Sequence, residues 1–179
     1  MKMSRRNFVA GGALLTAAGL AEATRADDAA ADGATFKLAV IGRVELKGTA
    51  AAIHLFDTYA DGLLGLEQWS HVQVLYWFDK NDTPDKRKVL RVHPRGNREN
   101  PLTGVFACRS PFRPNLLGLT VCRIVGVEGC VVRLDTLDAF DGTPVLDLKP
   151  FTPADAPSQG VKVPAWASRG PGGPLRGKQ

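Results

Sequence analysis

The sequence predicts an all-β fold, a small single-sheeted β-barrel with short helical turns, and two observations carry that expectation. Short apolar runs rich in β-branched and aromatic residues recur from Phe36 onward, and clusters of Pro, Gly, Asn and Asp punctuate them. No stretch repeats at a fixed period, which sets a solenoid or propeller aside. The 179 residues, 44% hydrophobic and 23% charged, suit one domain of roughly 100–150 residues with flexible ends.

The first segment reads as a targeting signal. Ser4-Arg5-Arg6-Asn7-Phe8-Val9 precedes an apolar Gly/Ala-rich run from Ala10 to Ala21, and Ala21 and Ala23 form an A-x-A site, with Ala26 a second option. The run is too short for a membrane span of about 20 residues, and the paired arginines before Phe8 match the twin-arginine pattern. Residues 1–23 are therefore expected to be a signal peptide, with the translocase a transient partner and the periplasm the destination. Residues 24–35 then read as a linker, 36–155 as the folded domain and 156–179 as a mobile Pro/Gly-rich tail.

Within the domain, the expected strands follow in order. Phe36–Ile41 is bounded by Gly42, and His71–Phe78 is the clearest strand because it combines Val, Tyr, Trp and Phe. Val89–Val92, Gly104–Ala107, Leu119–Val125, Cys130–Leu134 and Val145–Leu148 complete the series, while Tyr59–Leu66 suits one or two helical turns. Turns are marked by Asn81–Pro84, Pro94–Asn97, Pro111–Pro114 and Asp141–Pro144.

Composition excludes several chemistries. There is no phosphate loop, no G-x-S-x-G elbow and no H-E-x-x-H, and His54, His71 and His93 lie far apart, so no metal site is expected. Cys108, Cys122 and Cys130 include no CxxC pair; they read as half-buried small hydrophobes, with a Cys122–Cys130 bridge across a hairpin as the alternative. The formal charge of +5 falls to about +3 once the signal segment is set aside, which does not by itself argue for nucleic acid. Lys86-Arg87-Lys88 lies among Asp79, Asp82 and Asp85 and reads as a solvated loop.

Two stretches gather polar groups beside turn residues. Gly104–Gly118 places Arg109, Ser110, Arg113 and Asn115 next to Pro111 and Pro114, which hold the backbone in place. Leu137–Pro150 places Asp138, Asp141, Asp147 and Lys149 around a Gly-Thr-Pro turn. From chemistry alone each is equally a structural turn with paired charges or a site.

These stretches resemble the signatures of the TrmO/TsaA-like family: Phe106-Ala-Cys-Arg-Ser-Pro-Phe-Arg-Pro-Asn115 with Gly118, and Leu137-Asp138 with Asp141-Gly-Thr-Pro-Val-Leu-Asp-Leu-Lys-Pro-Phe151. Gly65–His71 and Val92–Gly96 match the same pattern, so the resemblance runs from about Phe36 to Asp155. It implies a TsaA-like barrel, usually dimeric, that binds S-adenosylmethionine and methylates the exocyclic nitrogen of threonylcarbamoyladenosine in tRNA. By motif position it implies that Arg109, Leu119, Asp135, Thr136, Leu137 and Asp138 hold the cofactor. Arg113, Asn115, Asp147 and Lys149 would line or brace the active site. An arginine suits a carboxylate in two-pronged fashion, and methyl transfer depends mainly on positioning.

Three departures from the family pattern stand out. Gly42–Gly48 runs almost directly to Ala52, so a cofactor-holding loop is reduced; Leu116-Leu117 replaces Pro-Ile; and Asp79-Lys80 stands where relatives carry His-Gln. With the export signal, these leave open an exported paralogue with another methyl acceptor, or a non-catalytic ligand-binding or interaction module of the envelope.

Overall fold

The structure is a computed structural model that describes residues 35–48, 50–156 and 159–168. The expected signal peptide, the linker through residue 34 and the end of the tail from residue 169 lie outside the described residues. Every element below belongs to the unit Leu38–Gln179.

Eight strands form among the described residues: β1 Gly42–Lys47, β2 Ala50–Leu55, β3 His71–Trp77, β4 Arg91–Val92, β5 Thr103–Gly104, β6 Leu117–Glu128, β7 Val131–Leu134 and β8 Pro144–Pro150. Six of them close an antiparallel barrel in the order β1-β2-β7-β6-β3-β8, and β4 and β5 pair as a separate ribbon. The expected all-β barrel is what the chain builds. Short 3-10 turns at Asp57–Leu63 and Leu66–Gln68 occupy the stretch expected to be helical.

Alternation explains β3. Val72, Val74 and Tyr76 point inward and are at most 3% exposed, while His71, Gln73, Leu75 and Trp77 are half-buried on the outer face. Ile53, Val132 and Val145 meet Val72 and Val74 at the centre of the core. Each such burial is worth about 1.5–3 kcal/mol.

The first strand is displaced from its expected place: Phe36–Ile41 is not a strand, and β1 begins at Gly42. Gly42 is a close-approach residue and not a terminator, since a Cβ there would meet the His54 carbonyl oxygen at 2.4 Å. β1 and β2 pair without interruption from Gly42↔Leu55 to Lys47↔Ala50, so only two residues connect them. Gly48, at φ +62, supplies the left-handed turn this needs.

The cysteines are free. Cys122 is buried inside the barrel, while Cys130 sits in the β6–β7 turn with its thiol 3.5 Å from Asp57 Oδ1. The bridge considered as an alternative does not form, because β6 and β7 pair as Glu128↔Val131 and Ile124↔Leu134, leaving Cys122 beyond the paired stretch.

Burial pushes the Cys122 thiol from its ordinary 9.0 up to about 12, and it raises the Tyr76 phenol above 10.0. Both groups fold neutral. Their contribution is fully present below the unfolded values near 9 and 10 and is lost as pH climbs through the raised folded values. The urea midpoint is therefore expected to fall between about pH 7.5 and about pH 10.5. Cys122→Ala should show a smaller fall; equal midpoints at the two pH values in the parent chain would refute this.

Candidate functional site

The strand ladder creates the site. β6 is twelve residues long: Leu117–Arg123 pairs with β3, whereas β7 covers it only from Ile124 onward. Among the described residues the other edge of Leu117–Arg123 therefore faces no strand, and its backbone groups must find other partners. Arg109 supplies one, donating from Nη2 to the Leu119 carbonyl. Asp135 supplies another: its Oδ1 accepts the Arg123 N–H at 2.9 Å, and its own N–H donates to the Arg123 carbonyl at 3.0 Å.

Between those two ties stands Tyr76. Its phenol donates to the Asp138 carbonyl at 2.6 Å and lies 3.2 Å from Thr120 Oγ1. The ring crosses Gly118, its ladder partner, so closely that a Cβ there would sit 2.3 Å from the ring. Burial raises the phenol pKa; the Thr120 hydrogen bond lowers it, the Asp138 carboxylate raises it and the Arg109 guanidinium lowers it. Arg109 and Asp138 thus both act on one buried hydroxyl. An exposed cation and an exposed anion flank the same strand end.

Lys80 caps a neighbouring aromatic. Its ammonium lies 4.1 Å from the centroid of the Phe140 ring, two residues past Asp138. The turn that follows is structural. Asp141 Oδ1 accepts the Leu46 N–H at 2.8 Å, Arg43 donates to the Gly142 carbonyl at 2.9 Å, and Gly142 takes φ +77. Thr143 is buried, and its carbonyl accepts the Val44 N–H. This turn fastens β8 to β1.

The ten residues singled out from sequence fall into separate places. Arg109, Leu119 and Asp138 meet around Tyr76. Asp135 and Thr136 shape the corner, with the Thr136 N–H on Asp135 Oδ1 at 2.8 Å, and Leu137 packs in the core. Arg113 donates to the Val105 carbonyl at 3.3 Å, and the Asn115 carbonyl accepts the Leu117 N–H at 2.8 Å. Asp147 and Lys149 pair with each other at 2.9 Å on β8, which holds the ammonium pKa above its usual value. Asp147 and Leu119 flank Leu75 on the same rung of the ladder, about 10 Å apart at two strand spacings. Among the described residues, no hydrogen bond or ion pair links Arg113 or Asn115 to Asp147 or Lys149. Asp147 instead borders a hollow of about 660 Å³ lined also by Tyr59, Gln68 and Trp69.

Sequence reasoning missed Tyr76 as a member of this cluster. A tyrosine at an inward strand position is the available signal, because a buried hydroxyl needs a partner. Tyr76→Phe is expected to cost about 1–2 kcal/mol by orphaning the Asp138 carbonyl. Chemical denaturation checks it, and a loss below about 0.5 kcal/mol would show that the bond contributes nothing net.

The three histidines have separate structural partners: His54 with Glu45 at 2.6 Å, His71 edge-on to Phe151, and His93 donating to the Asn100 carbonyl at 2.8 Å. No group of three or more metal-binding side chains occurs among the described residues.

The family profile described as the tRNA-methyltransferase O N-terminal domain matches residues 42–156. The chain is 43% identical over 117 residues to a probable S-adenosyl-L-methionine-binding protein of Methanocaldococcus jannaschii, covering 65% of this chain and 93% of that one. It is 44% identical over 98 residues to the tRNA (adenine(37)-N6)-methyltransferase of Mus musculus, covering 55% of this chain and 22% of the enzyme. The crystal structure of TrmO from P. aeruginosa superposes with a TM-score of 0.58 at 27% identity, over 74% of this chain and 62% of that one. The chain thus spans less than two thirds of the solved TrmO structure. With the matched region spanning the whole barrel, the chain belongs to the family of the tRNA-methyltransferase O N-terminal domain.

Proposed function

We propose that the barrel binds S-adenosylmethionine at the Arg109–Tyr76–Asp138 end and transfers its methyl group to the exocyclic nitrogen of an adenine in tRNA. Threonylcarbamoyladenosine is the acceptor we favour. One observation carries the reading: Arg109, held on the Leu119 carbonyl, and Asp138, held by the buried Tyr76 phenol, come together at the open edge of β6. That donor set suits the cofactor. A guanidinium matches the carboxylate of its amino-acid portion, a carboxylate matches the ammonium, and an unpaired strand edge offers backbone groups to a purine. The bound cofactor supplies an electrophilic methyl on a sulfonium. The protein's part is orientation: Tyr76 fixes the Asp138 backbone, Asp135 fixes the corner, and Arg109 is set on Leu119. The names of the archaeal and mouse relatives support both halves of the reading.

Isothermal titration of the purified chain with S-adenosylmethionine and S-adenosylhomocysteine is expected to give saturable binding, followed by methyl transfer to tRNA. No binding at millimolar ligand retires the methyl-donor reading. Binding without transfer to tRNA leaves the exported paralogue with another acceptor, or the non-catalytic module, in its place.

We also propose that Arg5-Arg6-Asn7-Phe8 directs export by the twin-arginine route to the periplasm. Fractionation should find the processed chain in the periplasm and a paired-lysine variant retained in the cytoplasm; equal distribution of the two would overturn it. A homodimer is the expected assembly, checked by light scattering.

A further inference from the structure

Charge in this chain is concentrated in one excursion. Residues 78–116, which leave the barrel after β3 and return at β6, hold nine Lys and Arg against four Asp and Glu. That surplus of five equals the formal charge of all 179 residues, so the remainder of the chain is balanced. Five of the nine cations fasten the excursion to itself or to the barrel. Arg87 pairs with Asp82 at 2.8 Å and donates to the Pro114 carbonyl, and Lys86 donates to the Lys80 carbonyl. Lys80 sits on Phe140, while Arg109 and Arg113 hold the Leu119 and Val105 carbonyls.

Lys88, Arg91 and Arg98 do none of this. All three are exposed, and no hydrogen bond or ion pair engages their side chains among the described residues. From Lys86 to Arg113 the sole acid is Glu99, whose carboxylate faces the Asn97 amide at 3.4 Å. Solvated lysines on a floppy loop would be unremarkable, but this surface is built. Arg91 is in β4, paired with Gly104 of β5. The loop carrying Arg98 is braced by His93 on the Asn100 carbonyl and by Asn100 on the Pro94 carbonyl. Arg95 and Gly96 turn it through consecutive left-handed residues at φ 61 and 66, a conformation that non-glycine residues rarely take. Phe106, two residues past the Gly104 partner of Arg91 and three before Arg109, is 79% exposed.

We infer that this face, centred on Lys88, Arg91 and Arg98 with Phe106 at its margin, docks the phosphate backbone of a folded RNA and delivers its exposed base to the Arg109–Asp138 end. The inference rests on the reading of the chain as an RNA methyltransferase and adds where the acceptor is held. Guanidinium groups take phosphate in two-pronged fashion, and a backbone already held in place leaves less to order on binding. An exposed aromatic beside them offers a platform for an unpaired base. A lipid surface would need only the charge; the braced loop and an exposed aromatic three residues before Arg109 favour RNA.

The test uses the full chain, a synthetic anticodon stem–loop RNA, and binding measured from about 50 to about 200 mM salt. Combining Lys88→Ala, Arg91→Ala and Arg98→Ala is expected to make the slope of log affinity against log salt shallower by about 2–3. Affinity at low salt should fall about tenfold or more, with S-adenosylhomocysteine binding and thermal midpoint unchanged. Phe106→Ala is expected to weaken binding about tenfold without altering the slope. An unchanged slope in the triple variant overturns the proposal, as does a parent chain that binds no RNA. Loss of binding to anionic phosphatidylglycerol vesicles, with RNA binding intact, overturns it in favour of a membrane. Because cofactor binding is read separately, failure of the methyl-donor reading is distinguishable from failure of the docking face.

Discussion

Gly118→Ala is expected to destabilise the fold by about 3 kcal/mol, the upper end for overpacking, and to release Tyr76 from Asp138. The new Cβ would lie 2.3, 2.5 and 2.7 Å from three carbons of the Tyr76 ring. Neither side can yield. Gly118 is held in the ladder opposite Tyr76, whose hydroxyl is fixed at the far end by the Asp138 carbonyl. Gly126→Ala is the control, because there the nearest group is the tip of the flexible Arg133 side chain at 3.0 Å. That change is expected to stay within about 0.5 kcal/mol of the parent, helped by lower entropy of the unfolded chain. Denaturant titration and near-ultraviolet circular dichroism separate the two. Equal stability of the glycine variants would show that the ring is not wedged as described.

Arg109→Ala is expected to weaken S-adenosylhomocysteine binding by about 10- to 100-fold, the equivalent of losing a hydrogen-bonded charge pair. Stability should change by less than about 1 kcal/mol, because the Leu119 carbonyl it would vacate lies on an exposed edge open to water. Arg109→Lys keeps the charge and loses the planar fork, so it should recover only part of the affinity. Full affinity in the alanine variant, measured by titration calorimetry, would move the donor site elsewhere on the barrel. The hollow bordered by Asp147, Tyr59 and Trp69 would then be the next place to look.

How much of this was legible in the sequence depends on where each element's information lies. β3 announces itself because its alternation and its aromatics are local. β2 does not: Ala50-Ala-Ala-Ile-His-Leu55 has little strand propensity and is extended because β1 and β7 pair along both its edges. The first strand was placed too early because Gly42 reads as punctuation in sequence, whereas in space it is where two backbones nearly touch. The motif around Arg109 and the one around Asp138 were readable as stretches. Their meeting at Tyr76 was not, since Tyr76 and Asp138 are 62 residues apart in the chain. Asp141 looked like a third site carboxylate, yet it spends its oxygen on the Leu46 amide. Local patterns reveal strands; only tertiary closure reveals which polar groups are used up in holding the turn.

The half-covered edge of β6 has one further consequence, for solubility. A barrel escapes strand-by-strand aggregation only where every strand has neighbours on both sides, and among the described residues Leu117–Arg123 lacks one. That stretch exposes Leu117, Leu119 and Val121, an apolar template for a foreign strand. The Arg109 guanidinium on Leu119 and the Asp135 carboxylate on Arg123 sit across it like gatekeepers. The same two side chains that frame the candidate site thus keep one copy of the chain from zipping onto the next.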